Sequence, residues 1–141
     1  MGRVRPDLTF KARISAGSKL YYSVHLFQTL AEMREFAASK AGTNKAYYNG
    51  TVAACCYWNH PKPYQNKLGD ISFCYKTITS DTIVHECVHA ALGALDRKGV
   101  KSLETAVIGS DPAEELCHIT DFLFHQIERR MKKHHDQTRT A

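Results

Sequence analysis

The chain has 141 residues, 43% of them apolar and 23% charged. That is the length of one domain, able to bury a core without help from disulfides or a metal, and it excludes disordered and collagen-like classes. The formal charge of +5 raises nucleic acid as a partner, yet it is unevenly spread. Residues 1–20 hold Arg3, Arg5, Lys11, Arg13 and Lys19 against Asp7. Residues 128–141 hold Arg129, Arg130, Lys132, Lys133 and Arg139 against Glu128 and Asp136, and residues 21–127 are left at −2. This pattern predicts a single domain over 1–141 with two basic, flexible ends, 1–17 and 130–141, and no folded basic face. The five cysteines, Cys55, Cys56, Cys74, Cys87 and Cys117, form no C-x-x-C pair. They read as small buried hydrophobes of a protein in the reducing cytoplasm. The longest apolar stretch, Ile83 to Leu95, is interrupted by His85, Glu86 and His89 and is too short for a membrane span.

In chain order, Leu20, Tyr22, Val24 and Leu26 alternate with Tyr21, Ser23, His25 and Phe27, a strand pattern. From Thr29 the spacing changes to that of an amphipathic helix, with Leu30, Met33, Phe36 and Ala37 on one side and an end near Gly42. A polar turn at Thr43 to Asn49 leads to a second strand, Thr51 to Trp58. The loop His60-Pro61-Lys62-Pro63 follows, and then a third strand, Leu68 to Ile78. Ser80-Asp81 predicts the cap of a helix over Asp81 to Lys98, stopped by Gly99 and apolar almost all round, hence central. After a connection of about a dozen residues, Asp111-Pro112 opens a last helix with the stripe Leu116, Ile119, Leu123 and Ile127. The expected fold is a small α+β domain in the order β-α-β-β-α-α. Its mostly antiparallel sheet packs on an N-terminal helix and two C-terminal helices.

The central helix carries His85-Glu86-Cys87-Val88-His89, an H-E-x-x-H match. Two histidines four apart share a helix face and can present both imidazoles to one zinc ion. The Glu between them, about 100° round the helix, can reach water at the metal. With eight His, roughly 0.02 accidental matches are expected in a chain of this composition. The alternative, two hydrogen-bonded core histidines and a surface Glu, requires a buried partner for each imidazole. A catalytic zinc needs three protein ligands and an open position. The metzincin spacing would place Gly at 92 and His at 95, where this chain has Leu92 and Leu95, so that class is excluded. A Glu on the following helix is the other source, and both Glu114 and Glu115 qualify by spacing. Glu114 also fits the acidic position of a capping box three residues after Asp111. His118 and Asp121 share the Glu114 side of that helix, where they are candidates for supporting a metal site or for a solvated polar face.

The stretch from Ile83 to Leu92, joined to Glu114 through Leu123, resembles the small zincin-type metallopeptidase domains encoded by many bacteriophages. The resemblance covers the C-terminal half. It implies that Glu114 takes the third ligand position and Cys117 a small-residue position, while His118 stands where the family usually has Tyr. It also implies that the strand Gly69 to Ile78 is an edge strand holding an extended peptide substrate by backbone pairing. The expected function is therefore a zinc metallopeptidase with Zn2+ on His85, His89 and Glu114, or Glu115 as alternate third ligand, and Glu86 as general base. A catalytically silent zinc-binding regulator of the host is the alternative. A DNA-associated protease held by its basic ends ranks behind both. Specificity would lie in the loops Asn59 to Lys67 and Val100 to Asp111.

Overall fold

Leu8, Phe10, Ala12 and Ile14 alternate with Thr9, Lys11 and Arg13. In the structure, a computed structural model describing residues 4–41, 54–58, 65–99 and 111–139, this alternation is a strand, β1 (Leu8–Arg13). Phe10, Ala12 and Ile14 are buried. The expectation of a loose basic end over 1–17 is thus corrected. The basic residues occupy the outward positions of an edge strand, where charge discourages pairing with another chain. The other elements are β2 (Tyr21–Phe27), α1 (Leu30–Ala41), β3 (Ala54–Trp58), β4 (Lys67–Cys74), α2 (Ser80–Arg97) and α3 (Asp111–Arg139). The fold is α+β with one more strand than expected. The turn Thr43 to Asn49, the loop His60 to Pro63, residues 51–53 of the predicted second strand and the connection 100–110 lie outside the described residues.

The four described strands form one sheet in the order β1-β2-β4-β3. β1 pairs antiparallel with β2 and β3 antiparallel with β4, while β2 and β4 run parallel. A parallel neighbour requires a crossover, and α1 lies within the connection from β2 to β4. β4 is therefore hydrogen-bonded on both sides. This corrects the expectation that the strand at Gly69 to Ile78 is a free edge for substrate: its backbone groups are already used by β2 and β3, and the edges are β1 and β3.

Strand parity sorts side chains to the two faces of the sheet. Phe10, Tyr22, Val24, Leu26, Ile71 and Phe73 meet α2 and α3 in the main core. On the other face His25 and Phe27 meet Phe36 of α1, with ring centroids 4.7 and 5.1 Å apart. The Thr29 side chain caps α1, accepting from the Glu32 N–H at 3.2 Å and donating to its carboxylate at 3.0 Å. The α3 stripe runs Ile119, Leu123, Ile127 and on to buried Met131. It holds the helix to Arg139, where a frayed tail after Arg130 was expected. No described helix is long and apolar enough to cross a membrane.

Candidate functional site

α2 begins one residue earlier than the sequence suggests. Thr79 has extended backbone angles and its hydroxyl accepts from the Thr82 N–H at 3.4 Å, so Thr79 rather than Ser80 or Asp81 is the cap, and Asp81 faces the positive helix end. Gly99, at φ 93°, follows the last turn in the left-handed conformation that glycine adopts without strain. Between these ends, Cys87, Ala90, Ala91 and Ala94 form a small-residue face buried against the sheet. The Tyr22 hydroxyl donates to the Ala90 carbonyl at 2.6 Å. The opposite face is open: Val84 is 40% and Val88 37% exposed, so α2 is amphipathic where near-complete burial was expected.

His85 and His89 lie on this open face with their Nε2 atoms 3.2 Å apart and ring planes at 69°. Two imidazole nitrogens bound tetrahedrally to one zinc at 2.0–2.1 Å are separated by about 3.3 Å. The helix alone therefore sets the bite that zinc requires. Without a metal, the same contact is a hydrogen bond in which one ring nitrogen donates and the other accepts. Glu86 is only 7% exposed. Burial pushes its carboxyl above the ordinary carboxylate value, while His89 and His85 oppose the rise. No hydrogen bond ties its carboxylate to another described side chain. Cys87, next to it, is pushed up to about 12 by burial and by Glu86, so it is an inert thiol.

The second half of the expected site is elsewhere. Ser80 Oγ donates to Glu128 at 3.4 Å and Lys98 pairs with Glu115. These two contacts fix α2 and α3 as an antiparallel pair with Glu115 beside the end of α2. Lys98 lies nine residues past His89, about 13 Å along the helix axis. Among the described residues no three His, Cys, Asp or Glu side chains assemble as a metal site. In this helix register Glu115 pairs with Lys98, and neither Glu114 nor Glu115 stands with His85 and His89. The described residues fit zinc as a chelating pair, His85 and His89.

Glu114 stands 3.8 Å from His118, and Asp121 3.2 Å from His125. All four line a cleft of about 760 Å³ between α3 and the β1–β2 turn at Ile14 and Ser15. His118 is thus paired with Glu114, and Asp121 with His125, within α3 itself. Cys117 is exposed, against the expectation of burial, whereas Cys74 and Cys87 are buried.

Sequence reasoning missed a second polar cluster. His25 Nε2 lies 2.7 Å from Asp70 Oδ1, His25 Nδ1 lies 2.9 Å from the Thr9 hydroxyl, and Lys67 Nζ reaches Asp70 at 3.0 Å. His25 and Asp70 are buried. Burial alone would raise the Asp70 carboxyl, but hydrogen bonds and charge from His25 and Lys67 hold it below its ordinary value. The only signal in the sequence was two polar residues in the outward phase of two strands. Their pairing depends on the parallel register of β2 and β4, which spacing does not encode. Compared with protein-family models, curated proteins and solved structures, the chain matches none.

Proposed function

We propose that the chain is a zinc-dependent metallopeptidase of a reducing, cytoplasmic compartment, with His85 and His89 as metal ligands and Glu86 as general base. The observation that carries this reading is the 3.2 Å separation of the two Nε2 atoms, a zinc bite, beside the buried carboxylate of Glu86, which no described side chain hydrogen-bonds. A bound zinc would lower the pKa of water and polarise a peptide carbonyl. Glu86 would accept a proton from the attacking water on its carboxylate and return it to the leaving amine nitrogen. Glu86 adjoins His85 on α2, and both histidines act on its carboxyl electrostatically. The substrate class is a protein or peptide.

The experiment is zinc analysis beside hydrolysis of a mixed quenched-fluorescence peptide pool. Wild type and Glu86→Gln bind zinc equally, and only wild type cleaves. Hydrolysis at wild-type rate by Glu86→Gln, or unchanged stoichiometric zinc in His85→Ala, overturns the reading. A second reading, a zinc-binding regulatory protein without turnover, is favoured by one observation: only two donors stand together among the described residues. Zinc uptake without cleavage by the wild type selects it.

A further inference from the structure

The two basic ends, far apart in sequence, lie side by side. Gln126 accepts from the Arg13 N–H at 3.0 Å and donates to the Arg13 carbonyl at 2.6 Å. The Arg130 guanidinium stacks 4.9 Å over the Phe10 ring. Tyr75 donates to Asp7 at 3.1 Å and meets the edge of His134, with centroids 4.7 Å apart. Positions 13, 10 and 7 of the N-terminal segment thus match 126, 130 and 134 of α3, an antiparallel register running the length of β1. Arg5, Lys11, Arg13, Arg129, Arg130 and Lys133 are exposed beside it. The acids nearby are Asp7 and Glu128, which accept from Tyr75 and Ser80, and Asp136. Lys11 also lies 4.6 Å over the Tyr21 ring.

From these contacts we propose that β1 and the second half of α3 form one composite cationic surface that binds the phosphate backbone of double-stranded DNA without sequence preference. Its length, six strand residues or about 20 Å, spans about six base steps at 3.4 Å each. Lys11 and Arg13 leave β1 on the face away from α3 while Arg129, Arg130 and Lys133 stand on α3, so folding places the two sets on either side of one sheet edge, where a single ligand meets both. A membrane surface fits less well. Helices that lie on bilayers insert an apolar face, and the apolar stripe of α3 is buried in the core.

The test is fluorescence anisotropy of a labelled 20-base-pair duplex titrated with the full chain at 50 to 200 mM salt. With about five phosphates neutralised, log affinity should fall against log salt with a slope of about −4.5. Lys11→Glu/Arg13→Glu and Arg129→Glu/Lys133→Glu should each weaken binding at least tenfold and flatten the slope by about 2. These side chains point away from the core, and unchanged circular dichroism verifies each pair independently. Lys98→Gln, at the end of α2 beside the first turns of α3, should leave binding as in wild type. No binding at 50 mM salt, equal loss in Lys98→Gln, loss from only one of the two pairs, or binding to phosphatidylserine vesicles at least as tight as to duplex each overturns the proposal.

Discussion

Asp70→Asn tests whether the buried cluster on the α1 side of the sheet stabilises the fold as an ion network. Asp70 is held ionised below the ordinary carboxyl value of 3.8, so His25 Nε2 is the donor to it. Nδ1 shares a second hydrogen bond with the Thr9 hydroxyl at 2.9 Å. Asparagine keeps one acceptor but removes the charge. The His25 bond is buried at 2.7 Å, and converting it from charge-assisted to neutral costs about 1–1.5 kcal/mol. The Lys67 side chain is 29% exposed, so its pair adds only about 0.5 kcal/mol after solvent screening. The sum, about 2 kcal/mol, corresponds to a fall in Tm of about 6 °C for a domain of this size. The sign with pH follows from the lowered pKa. Below 3.8 the unfolded chain takes up a proton that native Asp70 resists, so the contribution is complete above that value and fades as pH falls through the native one. Urea unfolding at pH 7, 5 and 3 is the assay. The variant's deficit should be equal at pH 7 and 5 and smaller at pH 3, with unchanged m. A deficit under 0.5 kcal/mol at pH 7, or one that stays constant down to pH 2.5, would refute the ion-network account.

Other outcomes follow from the same contacts. Tyr22→Phe removes the buried donor to the Ala90 carbonyl and should cost about 1–2 kcal/mol in urea unfolding, since the carbonyl is left without that partner. Leu123→Ala, at a fully buried position of the α3 stripe, should cost about 3 kcal/mol, read the same way. Gly99→Ala forces a side chain onto a left-handed backbone and should lower stability by about 1 kcal/mol. Glu114→Ala and Glu115→Ala should leave zinc stoichiometry at the wild-type value, because neither carboxylate stands with His85 and His89 in this helix register. Loss of zinc from either variant, measured by metal analysis, would show that the register changes on metal binding.

What the sequence made legible was local. β2, α1 and α2 follow from period and caps, and they end within a residue or two of where pattern places them. β1 was hidden because Lys11 and Arg13, which mark it as an edge, also mark it as a charged tail. The Leu8, Phe10, Ala12, Ile14 alternation was present throughout and was outweighed by charge. The C-terminal end of α3 failed for the same reason: five cations and two acids after Ile127 read as a solvated tail, while Met131 and His134 continue the buried face. In both places composition was given priority over periodicity, and packing of one end on the other decided the outcome.

The candidate site divides along the same line. His85, Glu86 and His89 are separated by one helical turn, so the 3.2 Å bite between the two Nε2 atoms is a property of helix geometry that any reading of spacing recovers. The position of Glu114 or Glu115 relative to that pair depends on how α3 slides along α2. That register is set by Leu123 and Ile127 in the core and by the contacts of Ser80 with Glu128 and Lys98 with Glu115. Each turn of sliding moves a side chain about 5.4 Å, more than twice a zinc–oxygen bond length. Spacing in sequence therefore identifies the helix a third ligand comes from without fixing whether it arrives. The Lys98–Glu115 pair lies at the surface, where such pairs contribute at most about 1 kcal/mol, while a structural zinc contributes roughly ten times as much in small metal-stabilised domains. If zinc acquires a third ligand from α3, the metal must outweigh the packing of Leu123 and Ile127, not the ion pair, and zinc-dependent protection of α3 amides from hydrogen exchange would register that shift.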